Sequence, residues 1–121
     1  MPEERNFMDD CLFCRIIQRK QPASVVYESP LTLAIRDAFP KAPIHVLVIP
    51  KEHIESLLHW EPRHSALGGE ILETVRAVAV AEKADAGGFR VVVNNGKDSH
   101  QTVPHLHFHV LAGRQLGWPP G

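Results

Sequence analysis

Three of the chain's eight histidines fall at alternate positions in His105-Leu106-His107-Phe108-His109-Val110-Leu111, with large apolar residues between them. In an extended strand successive side chains point to opposite faces. The pattern therefore predicts that His105, His107 and His109 line one face while Leu106, Phe108 and Val110 enter a core. A helix would scatter these histidines around its circumference, and Pro104 just before them suits a strand entrance better than a helix interior. A purification tag is a terminal polar run without interleaved core residues, so the alternation is not of that kind. Near neutral pH histidine serves both as metal ligand and as acid, base or nucleophile. Alternate side chains of one strand point roughly parallel rather than converging on an ion, which favours catalysis with at most one of the three on a metal.

These residues carry a resemblance. His-Leu-His-Phe-His-Val-Leu resembles the signature of the histidine triad (HIT) superfamily of nucleotide hydrolases and transferases, in which three histidines alternate with apolar residues. The closing Gly113-Arg114-Gln115-Leu116-Gly117-Trp118-Pro119-Pro120-Gly121 is similar to the tail of its purine nucleoside phosphoramidase branch, and the likeness runs from Cys11 to Gly121. It implies an α+β fold: a five-stranded antiparallel meander with one long helix and a short N-terminal helix, paired with a second copy across a two-fold interface.

At 121 residues the chain holds one domain with one core. With 13 Lys and Arg against 14 Asp and Glu, no basic excess is left to neutralise a phosphate backbone, so stable nucleic acid binding is not expected, while this balance leaves room for a small phosphate ligand. No apolar run approaches the roughly 20 residues that span a membrane, and the polar start is no signal peptide, so the expected location is the cytoplasm.

Residues 1–9 read as a loose polar start. Cys11 to Ile17 reads as a short amphipathic helix capped by Asp9 or Asp10, with Cys11 and Cys14 on one face. By themselves these two cysteines admit three readings: a redox pair, two buried thiols, or half of a zinc site. Residues 24–28 and 31–37 read as strands joined by a turn at Ser29-Pro30, the second presenting Leu31, Leu33 and Ile35 and ending in Asp37. Residues 44–49 form an almost wholly apolar central strand whose one polar side chain is His45. Helix signals run from Pro62 to about Ala84, with Leu67, Ile71, Val75 and Val78 facing the core. Glu70, Glu73, Arg76 and Lys83 fall on its outer face, and His59 and His64 at its start read as exposed. Gly87-Gly88 ends the helix, residues 89–95 form a fourth strand, and a polar connection over 95–104 leads into the triad. Its backbone N–H groups lack sheet partners and suit an oxyanion cradle.

The resemblance assigns roles to these positions. It makes His107 the nucleophile toward an α-phosphorus, a task imidazole nitrogen performs by splitting one displacement into two. His109 and the loop N–H groups would hold the non-bridging oxygens, with His45 and His105 beside them. Asp37 and Asn94 would hold the ribose, Leu12, Phe13 and Ala38 would wall the purine, and Thr102 would stand near the leaving group. His100 replaces the glycine common at this loop position, where a residue with negative φ could still present its N–H. Cys11, Cys14, His53 and His105 form a closed tetrahedral set for structural zinc, with no cofactor required for the chemistry. Trp118 would reach the active site of a partner subunit in a homodimer. Three classes stay open: a phosphoramidase or nucleotidyl hydrolase acting on AMP or GMP conjugates, a nucleotide-binding interaction protein with incidental turnover, and a redox or zinc-sensing protein.

Overall fold

A computed structural model of the protein describes residues 8–121, so most of the expected loose start lies outside the described residues. The elements are helix α1 (Leu12–Ile17), strands β1 (Val25–Glu28), β2 (Thr32–Arg36) and β3 (Ile44–Pro50), helix α2 (Ser65–Ala81), and strands β4 (Phe89–Val93) and β5 (Phe108–Ala112). Single 3-10 turns occupy Leu57–His59, Pro62–His64 and Lys97–Ser99.

All five strands are antiparallel to their neighbours, in the order β1-β2-β3-β5-β4. This differs from a plain meander in one respect. Since β5 runs antiparallel to both β3 and β4, those two run parallel to each other, and parallel strands need a crossover. The crossover is α2. It carries the chain past one strand position, and β5 fills the slot, which puts the histidine-bearing strand inside the sheet.

Each face of the sheet has its own core. On one side α2 packs Leu67, Ile71, Val75 and Val78 against Ala34, Val46, Val48, Leu106 and Val110. On the other, α1 packs Phe13, Cys14 and Ile16 against Leu33, Ile35, Leu47 and Ile49. Leu106 and Val110 are buried beneath α2, as the alternation requires, and truncating Leu106 to Ala would cost about 2–5 kcal/mol. The three histidines are left on the α1 side. Regular pairing starts only at Phe108, so His105 and His107 sit in an extended lead-in rather than in β5 itself. There His105 N–H turns back to Val103 O at 2.8 Å and Leu106 N–H reaches Ile54 O at 2.6 Å, outside the ladder.

Several boundaries and exposures differ from the sequence reading. Cys11, not Asp9 or Asp10, caps α1, its Sγ accepting from Cys14 N–H at 3.4 Å. Helix α2 stops at Ala81, well before Gly87, because Lys83 takes a left-handed turn (φ 61°). Leu31 lies outside β2 and is exposed. Glu70 is not merely solvated: Oε2 accepts from Ser29 Oγ and Leu31 N–H, tying the β1–β2 turn to α2. His64 is buried, with Nδ1 accepting from Glu61 N–H and Nε2 against Glu52 at 3.2 Å, because it closes a capping box on the 3-10 turn that leads into α2. His59 is exposed as expected.

Candidate active site and candidate metal centre

Register sets the first cluster. Leu47 of β3 pairs with His109 of β5, which makes His45 a diagonal neighbour of His109 on the same face. The two rings meet at 2.9 Å, His45 Nε2 to His109 Nδ1, and Asp37 Oδ2 lies 3.4 Å from His45 Nε2. Proton positions follow from their neighbours. Lys41 N–H donates to His45 Nδ1 at 3.0 Å, so the ring proton of neutral His45 sits on Nε2 and is donated to His109 Nδ1. His109 therefore carries its own proton on Nε2. Among the described residues, this is the one buried side-chain nitrogen or oxygen without a hydrogen-bond partner, a donor with nothing yet to donate to. Burial holds His45 below the usual imidazole range and brings His109 to about 4, so this chain of donors is neutral at physiological pH.

Asp37, His45 and His109 have the proximity of a metal site. The Lys41 hydrogen bond argues against that use. A metal on His45 Nε2 would leave Nδ1 accepting as well and the ring without a proton.

His107 is polarised the other way. Its Nδ1–H donates to the carbonyl of His105 at 2.7 Å, which leaves Nε2 with a bare lone pair. Burial lowers its pKa, so the lone pair is free at neutral pH. The Phe13 ring stands edge-on to it, with centroids 5.2 Å apart. A bare nitrogen and a protonated one thus stand side by side, with the His107 and His109 ring centroids 5.0 Å apart.

Both rings open onto a cavity of about 550 Å³. Leu12, Phe13 and Ile16 line it from α1, Pro22–Ser24 from the following loop, and Ile35 and Leu47 from the sheet. Arg36, Asp37, Ala38, Phe39, Thr102 and Val103 complete the lining. Of the residues expected around a nucleotide, Leu12, Phe13, Asp37, Ala38, Thr102, His107 and His109 are gathered here. Asn94, His100 and Trp118 are not among the lining residues. Phe39, Ile16 and the Pro22–Ser24 segment are, and the sequence reading passed over them. The signal for Phe39 is a large apolar residue inside a loop otherwise made of alanines, prolines and charged residues.

His100 has φ 72°, so it occupies the left-handed conformation that suits the glycine of similar chains, and its N–H is used by Lys97 O at 3.1 Å. The N–H is thus not presented from a negative φ: Gly96, Lys97 and Gln101 close a tight turn that leaves His100 the reversing position. A wider groove of about 630 Å³ lies between residues 87–90 and 113–116 and carries neither histidine nor cysteine. Trp118 stands beside it, 81% exposed, with the Arg90 guanidinium 5.9 Å from its ring.

The second cluster joins α1 to the triad. His105 donates Nε2–H to Pro50 O at 2.9 Å, which turns its unprotonated Nδ1 inward. That nitrogen is 3.3 Å from Cys11 Sγ, 3.6 Å from Cys14 Sγ and 3.2 Å from His53 Nδ1, and Cys14 Sγ is 3.3 Å from His53 Nδ1. Tetrahedral zinc, with Zn–N of about 2.0–2.1 Å and Zn–S of about 2.3 Å, needs ligand-to-ligand edges of about 3.3–3.8 Å, shortest between nitrogens and longest between sulfurs. The four donors fit that ion. Burial holds the Cys14 thiol up at about 11 and His105 down at about 4, so without a metal Cys14 keeps its proton and His105 is a neutral imidazole. A metal would have to take the Cys14 proton, while His105 is already free to bind.

Comparison with known proteins agrees with this geometry. The HIT domain family model matches residues 18–116. An uncharacterized HIT-like protein of Synechococcus elongatus is 50% identical over 113 residues, covering 93% of this chain and 98% of its own. A 14 kDa zinc-binding protein of Brassica juncea is 43% identical over 114 residues, covering 93% and 100%. Among solved structures, a HIT family hydrolase from Legionella pneumophila superposes with a TM-score of 0.90 at 44% identity, covering 93% of this chain and 100% of that one. A histidine triad nucleotide-binding protein from Candida albicans does so with a TM-score of 0.78 at 33% identity, covering 91% and 83%. With its alternating histidines on the lead-in to a central strand and on the strand itself, this fold and these matches, the chain belongs to the HIT family.

Proposed function

We propose that the protein is a nucleotidyl hydrolase of the purine nucleoside phosphoramidase kind, acting through a covalent bond between His107 and the nucleotide. The observation that carries the reading is the opposite proton placement on two adjacent rings. His107 Nε2 offers a lone pair, and His109 Nε2 offers a hydrogen. In the first step His107 Nε2 forms a bond to the α-phosphorus and the bond from phosphorus to the leaving amine breaks, the amine taking a proton from solvent as it departs. In the second, water attacks the same phosphorus and gives up a proton to solvent, the N–P bond breaks, and the nucleoside monophosphate leaves with His107 Nε2 regaining its lone pair. Throughout, His109 Nε2–H donates to a non-bridging oxygen as charge grows there. The carbonyl of His105 keeps the His107 proton on Nδ1, so the nucleophile stays in the right tautomer.

Asp37 suits the ribose hydroxyls, having spare lone pairs beyond the bond it accepts from Phe39 N–H at 2.8 Å. The apolar end of the cavity suits a purine. Asn94 is kept as a further ribose contact and Thr102 as a leaving-group contact. Cys11, Cys14, His53 and His105 would hold a structural zinc ion, which would pin α1 to the segment that enters β5; no chemical step runs through it. The protein is taken to act as a two-fold homodimer with Trp118 reaching the partner's cavity. Exposed Leu72, Val80, Phe89 and Val91 on α2 and the edge strand β4 supply apolar surface for that pairing, and the exposed indole of Trp118 is available to a partner.

His107→Ala tests the reading. Turnover of an adenosine or guanosine phosphoramidate should be abolished while AMP binding stays within about tenfold, roughly 1.4 kcal/mol, because base and ribose contacts lie elsewhere. Rapid quench with label in the nucleotide should show an adduct on His107. Label on another histidine, or normal turnover by the variant, would overturn the mechanism.

A further inference from the structure

A flat purine bound in the cavity has two faces to cover. One is provided for: Leu12 and Ile16 of α1 and Ile35 of β2 line the cavity together beside Phe13. Among the other lining residues, the one after Asp37 is Ala38, whose methyl group covers little. The next residue is Phe39, a cavity-lining side chain that is 77% exposed.

A single exposed phenylalanine is ordinary on a protein surface. Two features set this one apart. It borders the same cavity as His107 and His109, and its backbone is held on both sides. Phe39 N–H donates to Asp37 Oδ1 at 2.8 Å, Lys41 Nζ donates to Phe39 O at 2.6 Å, and Lys41 N–H is the donor that fixes the tautomer of His45. Asp37 N–H in turn donates to His45 O at 3.0 Å. The loop is therefore built to hold an apolar ring in water, next to the carboxylate assigned to the ribose.

Resting on the nucleotide reading above, we propose that Phe39 is the second wall of the base site and stacks on the purine where Ala38 leaves it open. Phe39 then sets how strongly the enzyme favours a base with a large aromatic face. Both purines present such a face, so stacking does not discriminate between adenine and guanine, and smaller pyrimidines gain less.

The test compares wild type, Phe39→Ala, Phe39→Leu and Phe39→Trp by calorimetric titration with AMP and with ribose 5-phosphate, which lacks the base. Phe39→Ala should weaken AMP binding about tenfold, or about 1.4 kcal/mol, within the range for stacking a base on an aromatic ring. Ribose 5-phosphate should bind both proteins alike. Phe39→Leu, which keeps bulk without the ring, should fall between them, and Phe39→Trp should keep the affinity and change its emission when AMP binds. With the phosphoramidate, KM should rise and kcat stay within about twofold. Unchanged AMP affinity in both Ala and Leu variants, an equal loss for ribose 5-phosphate, or a loss of dimer in sedimentation with no loss of affinity would each overturn the proposal. If wild type itself fails to bind AMP, the nucleotide reading falls and this one with it.

Discussion

Replacing Cys14 with Ser removes one corner of the candidate metal centre while changing little else, because the side chain is fully buried and the two residues differ by a single atom. The expected effect follows from linkage. Zinc at a free concentration a thousandfold above its Kd adds about 4 kcal/mol to the stability of the form that binds it. For a chain of this length each kcal/mol moves the thermal midpoint by roughly 3–5 °C, so zinc-loaded wild type should melt roughly 12–20 °C above Cys14→Ser. The decisive feature is non-additivity. Chelator should lower the midpoint of wild type by nearly the same amount and leave Cys14→Ser almost unmoved, because both perturbations remove the same interaction. Differential scanning calorimetry with and without chelator, alongside elemental analysis, measures this. Catalysis should fall less than tenfold, since neither His107 nor His109 is a ligand. Wild type with far less than one zinc per chain, or midpoint losses from chelator and mutation that simply add, would refute the reasoning.

Other outcomes are expected from the same geometry. Phenylalanine in place of His45 removes the donor to His109 Nδ1, so the His109 proton is no longer confined to Nε2; kcat should fall about ten- to a hundredfold with AMP affinity changed much less, as steady-state kinetics and titration would show, and an unchanged kcat would remove the relay. Folded His109, near 4, lies below the usual imidazole value of 6.5, so the unfolded chain takes up this proton first and stability is lost as pH falls from about 6.5 toward 4. Denaturant titrations at several pH values should show a smaller slope in that window for His109→Asn than for wild type. Deleting residues 116–121 should shift the ratio of rates between substrates with different leaving groups more than it shifts AMP affinity; an unchanged ratio would take Trp118 out of the site, and a monomer in sedimentation at micromolar concentration would take away the dimer.

The triad face was legible in the chain because strand alternation is local: His105, His107 and His109 had to share a side once Leu106 and Val110 were in the core. Cys11 and Cys14 were legible as a pair for the same reason, being three apart at the start of a helix. Resemblance added His53 and His105 to them. What the chain could not show was convergence. His45 meets His109 only because β3 and β5 pair in one register, a contact between residues 64 apart. The placement of β5 between β3 and β4 depends on the path of α2 across the sheet, and a local pattern of strands looks the same in either order. Tautomers lay equally out of reach. They were decided by the carbonyl of His105, the N–H of Lys41 and the carbonyl of Pro50, backbone groups whose positions belong to the fold and leave no mark on residue type. The burial of His64 and the positive φ of His100 have the same origin, since each is set by what the surrounding backbone leaves for that residue to do. Sequence determined which side chains could do chemistry and which face they shared; tertiary structure decided which nitrogen of each carries the proton.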